Sequence, residues 1–459
     1  MVTVLGREGS SLLAGLFPVD DRCGDLLLER VAGAWSLAAR IHLDGRRLGP
    51  GQALRAGGVL LAAGPEGAPL LDAWADALAP RNPSLQARRE KLLASVGWCT
   101  WYCHGRGIRE ETLREVTDHV VARPGLEAIR LVQLDDGYQR RIGDWLQPAA
   151  AFPSGLAAAV RGIRERGFDA GLWLTPLIAE PRSELFRSHP DWFLVDQEGN
   201  PVSGGWNPLW RTRFHALDCT RPQVRGWLAE LFRRLRDLGV SFFKLDYLYP
   251  AAFPARRHNP DISRGGALRL GLEAIREAVG DDAMLLGCGA PLGPCRGLVD
   301  AMRISPDVAP FWRMRGPIPR LLGEDELHGR YASLRQTLAR AFLHDRWWVN
   351  DPDVLLLQGA PAHEIRAQAA VIAASGGLLL LGDDPRRLGE VDLSLLQRVL
   401  SLRRRAGDCP DAVARTDPGI LCPRGDAAGS VVRVNLGDSG AEIGGQTLPP
   451  RTAAWSDDP

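Results

Sequence analysis

Between about residues 95 and 400 the chain repeats one pattern: an apolar run, a polar end, then an amphipathic stretch. The runs are SVGWCTW (95–101), AIRLVQLDDGY (128–138), DAGLWLTPL (169–177), SFFKLDYLY (241–249), AMLLGCGAP (283–291), AMRISPDV (301–308), RWWVNDPDVLLL (346–357) and GGLLLLGDD (376–384). They are nearly continuous in apolar character, as parallel strands buried on both faces are. Helical patterns separate most of them, such as EETLREVTDHVV (110–121) and QVRGWLAELFRRLRDLG (223–239). Eight such strands predict an α/β protein built on a (β/α)8 TIM barrel.

The flanks lack this pattern. Residues 1–66 hold short apolar pieces broken by glycine, such as GGVLLAAG (57–64), and LLDAWADALA (70–79) is helical in pattern. Arginine-rich polar sequence then leads to residue 94. After about residue 405, GSVVRVNLGD (429–438) and QTLPPRTAAW (446–455) predict short antiparallel strands. The expected organisation is a small N-terminal β-rich domain with a linker helix (1–90), the catalytic barrel (91–404) and a small C-terminal antiparallel β domain (405–459).

Bulk composition narrows the partners. A net charge of +1 on 459 residues gives no field for nucleic acid or an anionic membrane. No run approaches 18 apolar residues, and the start MVTVLGREGSSLLAG has no signal-peptide pattern. Eight scattered cysteines form no disulfide framework, so the expectation is thiols in a reducing cytoplasm. Homo-oligomerisation stays open.

In such barrels the active site lies at the carboxyl ends of the strands. Those ends carry Trp101 and His104, Asp135 and Asp136, Trp173, Lys244 and Asp246, Cys288, Arg303 and Asp307, Asn350 and Asp351, and Asp383 and Asp384. The chain has 56 Lys+Arg but only two lysines, Lys91 and Lys244. Lys244 and Asp246 are two apart on one strand and so share a side, where an ammonium group would hold the carboxylate ionised. An ionised carboxylate facing a pocket is a candidate nucleophile. Asp307 supplies a second carboxyl on another strand, with Arg303 four residues earlier. Two carboxyls flanking one bond are what glycoside hydrolysis with retention requires. Trp101, Trp173 and Trp312 offer aromatic faces for sugar rings.

On these residues, the stretch from about 95 to 400 resembles the α-galactosidase (melibiase) families of clan D glycoside hydrolases, retaining (β/α)8 enzymes. The landmarks occur in order: GWCTW (97–101), LDDG (134–137), KLD (244–246), Cys288 at the fifth strand end, and Arg303-x-x-x-Asp307. The resemblance implies Asp246 as nucleophile and Asp307 as acid/base. It implies that Asp135 and Asp136 hold the 4- and 6-hydroxyls of galactose, that Lys244 and Arg303 hold other hydroxyls, and that Trp101 is the ring platform. It implies small α-galactosides such as melibiose or raffinose as substrates and no cofactor. Departures are Leu248 where the family often has asparagine, Ser305-Pro306 before Asp307, Tyr138 after Asp-Asp-Gly, and a shorter N-terminal region.

Other readings remain. Lys244 with Asp246 also suits a structural ion pair, and Asp135 with Asp136 a helix cap. Cys99, Cys103 and His104 lack the second cluster that a four-ligand zinc site needs. No His-x-His strand motif marks a metal-dependent hydrolase, while the aspartates loosely fit a magnesium-dependent enolising barrel. Within the glycosidase reading the alternatives are β-L-arabinopyranosides, α-N-acetylgalactosaminides and galactosyl transfer.

Overall fold

A run of apolar residues with no polar face can be satisfied only by cover on both sides, and the eight runs collect into one sheet. In the computed structural model the strands are β1 (Val96–Cys99), β2 (Ile129–Leu134), β3 (Asp169–Leu174), β4 (Val240–Leu245), β5 (Met284–Gly287), β6 (Ala301–Arg303), β7 (Val349–Asp351) and β8 (Leu379–Leu381). Their order is β7-β6-β5-β4-β3-β2-β1-β8, a nearly closed parallel barrel. Register is direct in the pairs Phe242↔Met284, Ala301↔Val349, Leu379↔Val96 and Leu131↔Asp169. The structure describes residues 2–406 except 8, 18, 32, 55–56, 81–82, 315 and 317–327, and then 432–443 and 445–455.

Each strand is shorter than its apolar run, because the polar residues at its carboxyl end leave the ladder for the loop. The expected strand 346–357 breaks in the middle. Pro352 has no N–H to give, so β7 stops at Asp351, and Asp353 takes a left-handed backbone with φ +76°. Before the break the Leu378 N–H reaches the Asn350 carbonyl at 2.8 Å, and beyond it the ladder resumes, where the Leu355 N–H reaches the Leu380 carbonyl at 2.7 Å and Leu355 bridges Leu381.

Helices follow the 3.6-residue period. Helix Pro222–Asp237 starts on a proline and buries Val224, Leu228, Leu231, Phe232 and Leu235 along one stripe. The arginine-rich stretch expected only as a polar lead-in is itself a helix, Pro83–Ala94. Its Arg89 reaches the carbonyl of Asp345 at 2.8 Å and that of Trp347. A three-stranded antiparallel sheet, Ile178–Ala179, Ser203–Asn207 and Thr212–Ala216, is inserted between β3 and β4. The sequence pattern did not show it, because two- to five-residue strands are too short for a period.

The chain forms two compact units. The first comprises residues 1–85, 139–156 and 173–300. In it, strands Val2–Arg7, Ser10–Phe17 and Gly58–Gly64 form an antiparallel sheet, and Gly24–Val31 pairs with Ala34–Ile41. Arg296 grips both oxygens of Asp20, one at 2.7 Å. The second unit comprises residues 86–138, 157–172 and 301–459. Its C-terminal strands Val432–Asn435 and Thr452–Trp455 pair antiparallel, as do Ala441–Ile443 and Gln446–Leu448. Residues 429–431 of the expected strand lie outside the described residues. Arg451 ties this region to helix Ala362–Ser375 through Glu364 at 3.0 Å. No described helix is long and apolar enough to cross a membrane.

Candidate active site

In the first unit, β4 ends at Leu245, but the ladder runs one residue further: the Asp246 N–H donates to the Leu174 carbonyl at 2.8 Å. That bond points Asp246 out of the strand end on a fixed backbone. Both carboxylate oxygens are then held. The Trp173 indole N–H donates to Oδ2 at 3.0 Å, and the Tyr247 N–H donates to Oδ1 at 2.7 Å. Tyr247 turns into the left-handed region (φ +50°), and its hydroxyl receives the Asn207 amide at 2.9 Å. Such a conformation persists only where neighbours over-determine it, and here Trp210 and Phe214 pack on the ring at 5.0 and 5.5 Å.

Trp173 differs from its expected use as a sugar-stacking face. It is buried, with Trp145 and Trp210 set edge-on to it at 5.9 and 6.4 Å, so its contribution is a directed N–H. Lys244 is buried on the same strand. Cys288 is also buried and extends the next ladder, donating its N–H to the Leu245 carbonyl at 2.8 Å. The following Gly289 has φ +55°, and a Cβ there would stand 3.3 Å from Asp246 Oδ1. Only glycine turns the chain this close to the carboxylate.

In the second unit, Trp101 opens a short helical turn, Trp101–His104, at the end of β1 and is half-buried. At the end of β2, Asp135 and Asp136 are both buried. Adjacent carboxylates repel unless donors reach them. Asp135 Oδ2 receives the Gln133 amide at 2.7 Å, Asp135 Oδ1 receives the Asp136 N–H at 2.9 Å, and Arg106 Nε lies 3.4 Å from Asp136 Oδ1.

At the end of β6, Arg303 is buried, while the Asp307 side chain is 53% exposed. Three different N–H groups of Arg303 face carboxylates: Nη1 to Asp307 at 3.1 Å, Nε to Asp351 at 2.8 Å and Nη2 to Asp353 at 2.8 Å. These described contacts are to the protein's own acids, whereas the expectation for Arg303 was a sugar hydroxyl. Trp312 is buried too, with the Arg451 guanidinium 5.9 Å from its ring.

The sequence pattern missed Tyr102, Arg106, Gln133, Asn207 and Tyr247 as supports, since nothing local distinguishes them. Asp351 at the end of β7 and Asp353 just beyond it hold Arg303. Around the considered zinc ligands, Cys99 Sγ donates to Asp135 at 3.6 Å and Cys103 Sγ to the Thr100 carbonyl at 3.8 Å. Burial pushes the Cys103 thiol up to about 12, so the thiolate that zinc prefers is disfavoured. Among the described residues no three His, Cys, Asp or Glu side chains cluster as metal ligands.

Known proteins are similar to this chain over the same region. The family model described as Melibiase matches residues 99–261, a span holding Trp101, Asp135, Asp136, Trp173, Lys244 and Asp246. The α-galactosidase AgaA of Geobacillus stearothermophilus is 34% identical over 135 residues, 28% of this chain and 18% of that protein. The A type blood α-D-galactosamine galactosaminidase of Flavonifractor plautii is 31% identical over 183 residues, 36% of this chain and 16% of that protein. The chain thus aligns with less than a fifth of these curated relatives. Solved structures match at greater length. The α-galactosidase from Thermus thermophilus in complex with stachyose superposes with a TM-score of 0.70 at 33% identity, covering 87% of this chain and 79% of that one. A β-L-arabinopyranosidase from Geobacillus stearothermophilus, at 15% identity and a TM-score of 0.60, shares the fold. With the strand-end motifs in order and a relative one-third identical over four-fifths of its length, this chain belongs to the melibiase family.

Proposed function

We propose that the chain is a retaining glycosidase that removes terminal α-D-galactosyl residues from small oligosaccharides. The observation that carries the reading is Asp246, a strand-end carboxylate with both oxygens fixed by N–H donors in a protein of this family. The Thermus thermophilus relative was solved with stachyose and with p-nitrophenyl α-D-galactopyranoside, which supports α-galactosides as the substrate class.

In this reading Asp246 attacks the anomeric carbon. The glycosidic C–O bond breaks, and the exposed Asp307 gives its proton to the leaving oxygen. Asp307 then takes a proton from water, whose oxygen displaces Asp246 and releases the sugar with its starting configuration. Asp135 and Asp136 are proposed to hold the 4- and 6-hydroxyls, Lys244 a further hydroxyl, and Trp101 the ring. Cys288 borders the sugar. Arg303 acts on Asp307. No cofactor enters this chemistry. No disulfide is formed among the described cysteines, which fits the cytoplasm as the proposed compartment.

A panel of nitrophenyl glycosides tests the assignment. The α-galactoside should be cleaved on the order of 10⁴-fold faster than the α-glucoside, because a site built around an axial 4-hydroxyl leaves buried acids unmatched when it is displaced. Comparable rates on the two would defeat the assignment. Preference for the β-L-arabinopyranoside or α-N-acetylgalactosaminide would move the function within the family.

A further inference from the structure

We infer that Asp353 is a positioning residue for Asp307, acting through Arg303 to keep a proton available to the acid/base carboxyl. This rests on the reading of Asp307 above. Asp353 is fully buried and reached from several sides. The Tyr102 hydroxyl and the Val308 N–H donate to Oδ2, the latter at 2.7 Å, while the Val354 N–H at 2.7 Å and Arg303 Nη2 at 2.8 Å meet Oδ1. Asp351, also fully buried, takes Arg303 Nε on Oδ2 and the Asp353 N–H on Oδ1 at 2.9 Å. The titratable groups described in this cluster are Tyr102, Arg303, Asp307, Asp351 and Asp353.

One guanidinium therefore faces three carboxyls, two of them shut away from water. A guanidinium that serves a single carboxyl favours its ionised form, and an ionised carboxyl has no proton for a leaving group. Asp351 and Asp353 share that guanidinium, so its charge is divided among three carboxyls instead of being spent on Asp307 alone. Burial pushes Asp353 up to about 6 against the opposing pull of Arg303, and Asp307 and Asp351 add to the rise. Tyr102 is raised well above its ordinary range by burial and then by Asp353, so it remains a hydroxyl donor.

The test is kcat/KM against pH on melibiose, whose leaving group needs a proton. Asp353→Asn removes a negative charge and leaves Arg303 to lean on Asp307. The alkaline limb should move to lower pH by about one unit. With a dinitrophenyl α-galactoside, which needs little protonation, the rate of the first step should be kept. An unmoved limb overturns the inference. Asp307→Ala, measured alongside, separates the two readings. If it loses melibiose but keeps the dinitrophenyl substrate while Asp353→Asn matches the wild type, only the inference falls. If Asp307→Ala hydrolyses melibiose normally, the acid/base assignment itself falls. Should Asp353→Asn fail to fold, Tyr102→Phe removes the hydroxyl that favours ionised Asp353. Its alkaline limb should move in the same direction by less, and an unchanged profile would again overturn the inference.

Discussion

Trp173 lines up Asp246 by a single N–H···O contact of 3.0 Å, and what that contact is worth can be read directly. A hydrogen bond to a charged group contributes roughly 2 kcal/mol, which is about thirtyfold in rate if it is made in the transition state. Trp173→Phe keeps most of the apolar volume and deletes the donor, so kcat/KM on a nitrophenyl galactoside should fall by about that factor. Trp145→Phe is the control. It alters the ring set edge-on to Trp173 at 5.9 Å but removes no donor from Asp246. Equal losses in the two variants would mean that packing, and not the N–H, positions Asp246, the proposed nucleophile. At this scale the sequence singles out Asp246 as a candidate because an acid directly after an apolar run stands out, and Asp307 by its spacing of four from Arg303. Their supports were not legible. Asn207 lies 40 residues from Tyr247, and Asp353 lies 46 or more from both Arg303 and Asp307, so no local pattern links them.

Elements are held to one another by close backbone approaches as much as by side chains. In the first unit the segment after β5 runs against the chain that follows strand Ser10–Phe17, and at Gly293 a Cβ would come within 2.2 Å of the Val19 carbonyl oxygen. Backbone cannot yield as a flexible side chain does. Gly293→Ala should therefore destabilise the protein by about 2 kcal/mol, seen as a lower midpoint in thermal or urea unfolding. An unchanged midpoint would show that the two segments separate freely. The neighbouring Arg296 grip on Asp20 predicts that the loss extends to the N-terminal strands. The βα repeat was legible from hydrophobic runs of strand length. The break of β7 was legible only in part: Pro352 announces it, but the bridge from Leu355 to Leu381 depends on a partner strand.

For the molecule as a whole, the proposed chemistry divides its work between two acids, Asp246 and Asp307. Their roles can be separated by stereochemistry. Asp246→Gly with azide should give a β-galactosyl azide, the product of one inversion at the anomeric carbon. Asp307→Gly keeps the nucleophile and should form the glycosyl-enzyme from a nitrophenyl substrate. Azide then attacks in place of activated water, and the product is the α-azide of two inversions. Azides of one configuration from both variants, or β-galactose as the first product of the wild type, would rule out retention.

The amino-acid order by itself determined the alternation of buried strand and amphipathic helix, since burial on both faces demands unbroken apolar runs. It also determined which polar residues end those strands. Tertiary structure decided what those residues meet. Trp173 became a donor to Asp246 because Trp145 and Trp210 cover its faces. Arg303 became the hub of three acids because the parallel register of β6 and β7 sets Asp351 opposite it, while the turn after β7 brings Asp353 alongside. Hydrophobic periodicity is a property of neighbours along the chain, and it survives without folding. A hydrogen bond depends on a few tenths of an ångström between residues far apart in sequence, and only the packed chain sets that distance.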